Sequence, residues 1–225
     1  MVRTLSHSQA RAFYDRFGAK QDLQGWYEDA AVDDLVAHLS LGDARHVAEF
    51  GCGTGRLAAR LLASQLPPWA RYTAADQSAT MVGLARDRTR GDSTRCQVTQ
   101  GDGTPRWPVD DGAADRLLST YVTDLLSDED ITALLTDAWR ALAPGGLLGL
   151  VSLTRGEGVL SRVVTGLWET AHRLNPVWVG GCRPLALRGY LPDRWTVTHH
   201  RVLTVLGLGS EVLVARKVDA GSAAA

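Results

Sequence analysis

Cysteine is scarce in this chain: Cys52, Cys96 and Cys182 are the only three in 225 residues. They stand too far apart for a compact metal-ligand motif, and an odd number cannot be fully paired, so reduced thiols and no bound metal are expected. Equally missing is an apolar run long enough to span a bilayer, and the opening stretch MVRTLSHSQARAFYDRFG has no uninterrupted apolar core of the secretory type. The expectation is a cytoplasmic protein without a membrane span. An excess of charge of one sign is absent too, with 24 Lys+Arg against 25 Asp+Glu, which weighs against a broad nucleic-acid footprint. No internal repeat or long linker divides the chain, and its length suits one α/β domain with some appended cover.

What is present alternates. His7 to Phe17 and Asp22 to Leu41 read as amphipathic helices separated by Gly18. An apolar strand from Val47 to Phe50 then enters a glycine turn and a helix. RYTAAD and TRCQVTQ supply further strands around a helix from Ser78 to Asp87, and DRLLSTYVTDLLS supplies a fourth strand with its exit loop. Helical periodicity runs from Asp128 to Leu142, APGG stops it, and LLGLVSL is the fifth strand. Gly156 to Pro192 breaks the pattern and is expected to cover the carboxyl edge of the sheet, while TVTHHRVLTVLGLGSEVLVARKV gives two strand-like runs about a glycine turn. The fold class that follows is α/β, Rossmann-like, with a seven-stranded mostly parallel sheet, a terminal antiparallel strand and a helical lid.

The strongest chemical signal is Glu49-Phe50-Gly51-Cys52-Gly53-Thr54-Gly55 between a strand and a helix. Glycines let the turn approach a ligand where a Cβ would collide, and the helix that follows begins with unpaired N–H groups. Asp76 comes 21 residues after Gly55, directly behind the second strand, where a carboxylate can accept from both hydroxyls of a ribose; it also reads as an Asx turn or cap before Ser78. Asp102, in Gly101-Asp102-Gly103 after the third strand, can accept from an adenine amino group or simply shape a turn.

With these marks, VAEFGCGTG, YTAADQS, GDG and RALAPGGLL, the chain resembles the class I S-adenosylmethionine-dependent methyltransferases, especially the small-molecule branch that includes the ubiquinone and menaquinone biosynthesis enzymes. The resemblance runs from about Phe13 to Lys217. It implies that Gly51, Gly53 and Gly55, with Cys52 among them, cradle the methionine part of S-adenosylmethionine, and that Glu49 steadies the loop or meets the amino group. It further implies that Asp76 and Gln77 hold the ribose, that Asp102 and Gly103 hold the adenine, and that S-adenosylhomocysteine is the product. Tyr14, in FYDRFG, resembles a tyrosine that closes over the cofactor, although it reads equally as a packed helix-face aromatic; Gln21, Tyr27 and Tyr121 are candidates for the same opening. The exit of the fourth strand, STYVTD, lacks the Asn-Pro-Pro-Tyr type of motif of many amino-directed DNA methyltransferases.

The domain reading is then 1–45 as a helical cover, 46–155 as the cofactor-binding core, 156–194 as cover over the acceptor site, 195–218 as terminal strands completing the core, and 219–225 as a disordered tail. His172 is a candidate neutral base or a packed histidine, Asp124 a candidate base or a helix cap, and Trp168, Trp178 and Arg183 are candidate lid contacts. The expected acceptor is a small organic molecule such as a phenol, a quinone precursor or a natural-product intermediate, handled by a monomer or homodimer. Two further readings stay open on the sequence: an inactive S-adenosylmethionine-binding regulatory or partner protein, and an NAD-dependent Rossmann oxidoreductase.

Overall fold

In the computed structural model, residues 4–218 are described; the tail expected at 219–225 lies outside them. Seven strands, β1 His46–Phe50, β2 Arg71–Asp76, β3 Cys96–Gln100, β4 Ala114–Thr120, β5 Leu142–Thr154, β6 Trp195–Val205 and β7 Leu208–Lys217, form one sheet of order β3-β2-β1-β4-β5-β7-β6. The first five are parallel, β7 runs antiparallel to β5, and β6 pairs antiparallel with β7. The order reverses at β1 and β4, the switch point beyond which open α/β sheets bind ligands.

Six α-helices dress the sheet: α1 His7–Phe17, α2 Gly25–Ala37, α3 Arg56–Ser64, α4 Ala79–Arg88, α5 Asp128–Ala141 and α6 Gly158–Leu174. Serine caps start three of them. Ser6 and Gln9 form a reciprocal capping box on α1, Ser78 accepts from Met81 N–H, and Ser127 accepts from Asp130 N–H. One apolar cluster joins Leu35 of α2, Leu61 of α3 and Val82 of α4 to one face of the sheet, and a second joins Ile131 and Leu135 of α5 to the other. Each fully buried leucine contributes roughly 2–3 kcal/mol of hydrophobic stabilisation. Close packing shows at Gly149 of β5, where a Cβ would stand 2.9 Å from Leu35 and 3.0 Å from Leu39.

Two expectations from the sequence need correction. The helix expected over Asp22 to Leu41 begins at Gly25, because Asp22 is drawn out of it: its carboxylate accepts from Thr54 Oγ1 at 2.7 Å and from Arg88 at 2.7 Å. The residues between, Gly18–Gln24, form tight 3₁₀ turns that cross the glycine loop. APGG, expected to precede the fifth strand, is instead enclosed within β5. Ala114 pairs with Leu142 and Arg116 already pairs with Leu147, so the extra residues are a bulge, with Gly145 at a φ of 72°.

No helix covers the β3–β4 connection. Trp107 pins this loop instead: its ring is buried, its indole N–H donates to Leu134 O at 3.1 Å, and its backbone N–H donates to Asp137 at 2.7 Å. Part of the sheet face beside β1–β3 is thereby left as a wall for a ligand cleft.

Candidate active site

The glycine loop is shaped by three separate close approaches. Gly51, Gly53 and Gly55 all have positive φ, at 75°, 52° and 74°. A Cβ on Gly51 would meet Val122 at 2.3 Å, one on Gly53 would meet Gln21 Oε1 at 2.8 Å, and one on Gly55 would strike the backbone of Ala85 in α4 at 2.7 Å. The loop is thus wedged between the β4 exit, the amino-terminal segment and α4.

Asp76 fastens the loop from the next strand. Its Oδ2 accepts from Gly53 N–H and its Oδ1 from Ser78 N–H, both at 2.9 Å. The Asx turn that Asp76 was expected to make before Ser78 is therefore present, and so is a contact to Gly53 that sequence reasoning did not foresee. Burial pushes the Asp76 carboxyl up, and the amide donors oppose that shift. Asp76 also lines the cleft, and a carboxylate can accept more hydrogen bonds than these. Glu49 lies behind the loop, buried, and accepts from Tyr72 OH at 2.8 Å; desolvation pushes its carboxyl up to about 7. The Cys52 side chain is buried in the apolar cluster.

A cleft of about 1180 Å³ opens in front of these groups. Tyr14, Gln21, Gly51, Gly53, Asp76, Gln77, Asp102, Gly103 and Tyr121 all line it, so most of the predicted cofactor-site residues converge. A smaller recess of about 250 Å³ shares Gln21, Gly51, Gly53 and Tyr121 and adds Glu28, Glu49 and Cys52. Tyr27 stands behind, edge-to-face with Tyr121 at 5.8 Å. Asp102 is exposed, and its Oδ1 accepts from Thr104 N–H at 2.8 Å, which is the turn role allowed for it. Gln21 Oε1 is buried without a hydrogen-bond partner directly over Gly53.

The predicted catalytic residues are placed differently. Asp124 is fully buried in the turn after β4, where desolvation pushes its carboxyl up to about 7. Half-buried Tyr14 and Cys182 lie beside it, and its Oδ1 has no hydrogen-bond partner among the described residues. His172 lies on the inner side of α6, bonded to the backbone of Gly181, with burial pulling its pKa down. Neither residue lines the cleft. Arg183 is structural, donating to Asp128 at 2.6 Å and to Leu126 O at 3.0 Å. Trp168 donates to Cys182 O at 3.0 Å. Trp178 is corrected as a lid contact: it is 68% exposed and encloses nothing.

Sequence reasoning missed Cys182 and Glu28. Glu28 is buried on α2, accepts from Tyr27 OH at 3.1 Å, and is pushed up to about 7 by desolvation. Its signal was available: an acid at position 28 in register with Ala31, Val32 and Leu35 occupies the apolar stripe of its own helix. A further group, unforeseen, lies on α2 and β6, where Asp34, the backbone-bonded His38 and His199 bring potential ligand atoms within 4.8 Å of one another. Asp34 is already engaged by His199 at 2.6 Å and Arg201 at 3.2 Å, and the two imidazoles stack face to face at 3.5 Å.

Comparison with known proteins decides the family of this arrangement. Residues 47–146 match the family described as a methyltransferase domain. These residues carry a methyltransferase domain. This methyltransferase domain is 32% identical over 117 residues to the trans-aconitate 2-methyltransferase of Paracidovorax citrulli, covering 52% of this chain and 42% of that protein. It is 28% identical over 117 residues to the tRNA N(3)-methylcytidine methyltransferase Mettl2 of Drosophila melanogaster, covering 51% and 36%. The chain thus spans less than half the length of either relative. In fold it is similar to the cyclase SpnF, with a TM-score of 0.66 at 19% identity over 96% of this chain and 98% of that one. The family match, together with the antiparallel β7, sets the methyltransferase class above the NAD-dependent oxidoreductase reading.

Proposed function

We propose that the domain binds S-adenosylmethionine along the large cleft and transfers its methyl group to a small organic acceptor, releasing S-adenosylhomocysteine. One observation carries this reading: the glycine loop, Asp76 and the Gly101–Gly103 turn, from the ends of three successive parallel strands, line a single cleft. The cleft's own chemistry fits the cofactor. Gln21 Oε1, buried and unpartnered over Gly53, offers an acceptor for the ammonium of an amino-acid moiety, and a Cβ at Gly53 would fill that space. Asp76 retains lone pairs for a ribose diol, and Asp102 with Gly103 borders the far end, where an adenine belongs.

When bound, the sulfonium supplies an already activated methyl group, so the chain's task is orientation and exclusion of water. Residues 46–155 supply most of the cofactor contacts in this account, joined by Gln21 from the 1–45 cover, whereas no residue of 156–194 lines the cleft. Tyr14 and Tyr121 wall the cleft; Asp124, buried outside its lining, could take a proton from a hydroxyl acceptor only by way of Tyr14, whose side chain stands between them in this account.

A second reading, cofactor binding without methyl transfer, draws on the absence of Asp124 and His172 from the cleft lining. Calorimetric titration with S-adenosylmethionine tests the site, with loss of affinity expected in Asp76→Ala and Gly53→Val; unchanged affinity in both folded variants rejects it. Incubation with methyl-labelled cofactor and a metabolite extract separates the two readings, since only the first puts label into a product.

A further inference from the structure

Helix α6 turns most of its large apolar residues to solvent, while half-buried Val164, Trp168 and Ala171 share its inner side with polar groups. Its buried residues are Ser161, Thr165 and His172, all polar, and Ser161 Oγ donates to Gly207 O at 2.9 Å. Its large apolar residues face water instead: Val159 is 71% exposed, Leu160 62%, Val163 55%, Leu167 69% and Leu174 66%. A surface helix of a monomer ordinarily carries the reverse pattern. Together with the exposed Val177, Trp178 and Leu206, these side chains offer on the order of 1,000 Å² of apolar surface, above the roughly 800 Å² that each partner contributes to a standard interface.

The spacing indicates what covers it. Leu160, Leu167 and Leu174 are seven residues apart, and Val163 and Thr170 each follow a leucine by three, which is the a and d periodicity of helix pairing. The stripe is centred on Leu167, with Leu160 and Leu174 equidistant on either side, so it is complementary to itself when two copies run antiparallel. Arg162, Glu169 and Arg173 lie roughly 100–140° round the helix from the centre of the stripe, outside such a contact. Because an acid stands between the two arginines on that flank, it lacks the uniformly basic border of a lipid-binding helix.

We propose that α6 is a self-association surface through which two copies of this chain pair antiparallel about Leu167. The dimer is independent of the cofactor reading, since the stripe faces away from the helix's buried polar side.

Sedimentation velocity over a micromolar concentration series should show the full chain as a dimer. Leu160→Glu with Leu167→Glu should weaken it by at least ~100-fold while leaving the far-UV circular dichroism unchanged, and Arg162→Ala should leave the dimer intact. Register is read by mild oxidation of single-cysteine additions in the otherwise native chain. Leu167→Cys should cross-link to its own copy, whereas Val159→Cys, far from the two-fold, should not. A monomeric native chain, a dimer that persists in the double glutamate variant, or cross-linking at both positions overturns the proposal. So does a monomer that co-sediments with phosphatidylcholine–phosphatidylglycerol vesicles through this face.

Discussion

Asp76 Oδ2 accepts a hydrogen bond from Gly53 N–H at 2.9 Å, tying the end of β2 to the glycine loop that leaves β1. The residue expected to recognise the ribose therefore also sets the shape of the loop expected to receive the methionine moiety. Replacing Asp76 by alanine should accordingly act twice. Cofactor affinity should fall by about 1.5–3 kcal/mol, and thermal stability should fall as well, because two buried amides lose their acceptor. Titration calorimetry and a thermal melt on the same sample check both; loss of one alone would separate the two roles.

Gly55 should tolerate no side chain. At a φ of 74°, with the Ala85 backbone 2.7 Å from where its Cβ would sit, Gly55→Ala must move α4 or distort the loop. A cost of roughly 2 kcal/mol or more in urea unfolding is expected, beyond the usual penalty for alanine at positive φ. Gly53→Val should cost both stability, because a β-branched residue is strained at a φ of 52°, and cofactor affinity, because its side chain fills the space under Gln21.

The buried acids fix a pH dependence. Glu28, Glu49 and Asp124 are each pushed up to about 7 by desolvation, well above their values in an unfolded chain. Between about pH 4 and 7 these three sites hold more protons in the folded chain than in the unfolded one, so their contribution to stability is fullest below about pH 4 and declines as pH rises to 7, while His46 and His172, pulled down by burial, contribute in the opposite direction. Asp124→Asn should flatten part of that decline, measured as urea midpoints at pH 5 and pH 8. If Asp124 takes the acceptor's proton, the rate should rise through pH 7 and the same variant should lose about 10²–10⁴-fold of it.

Much of this was legible in the sequence because a few local rules act without tertiary help. The strand–glycine–helix transition at Phe50 to Arg56 and Asp76 at the end of its strand, with its turn before Ser78, depend on backbone chemistry within a few residues. What was illegible depends on distant partners. Asp22 leaves its helix for Thr54 and Arg88, the APGG bulge is absorbed by pairing with β4, and Cys182 gains meaning only beside Tyr14 and Asp124. His172 was drawn into the site by its chemistry, whereas the folded chain turns it to the Gly181 backbone.

Turnover should persist after chelation, because a sulfonium needs no Lewis acid to activate its methyl group. The Asp34, His38 and His199 group does not line the cleft, and Asp34 is already paired. Loss of activity with EDTA and its return with magnesium would reveal a metal-assisted acceptor site.

Trp178 and Trp168 should differ. With Trp178 68% exposed, Trp178→Ala should leave acceptor kinetics and folding unchanged, whereas Trp168→Ala removes an indole that holds Cys182 O and should cost about 1–3 kcal/mol of stability. Initial rates and melts on both variants distinguish them.

The most direct test of the central claim is to incubate the chain with methyl-labelled S-adenosylmethionine and a metabolite extract and to follow the label by mass spectrometry. The account predicts a labelled small molecule formed in step with S-adenosylhomocysteine, and its disappearance in Asp76→Ala. Tight cofactor binding by the native chain with no label leaving S-adenosylmethionine for any acceptor would contradict it.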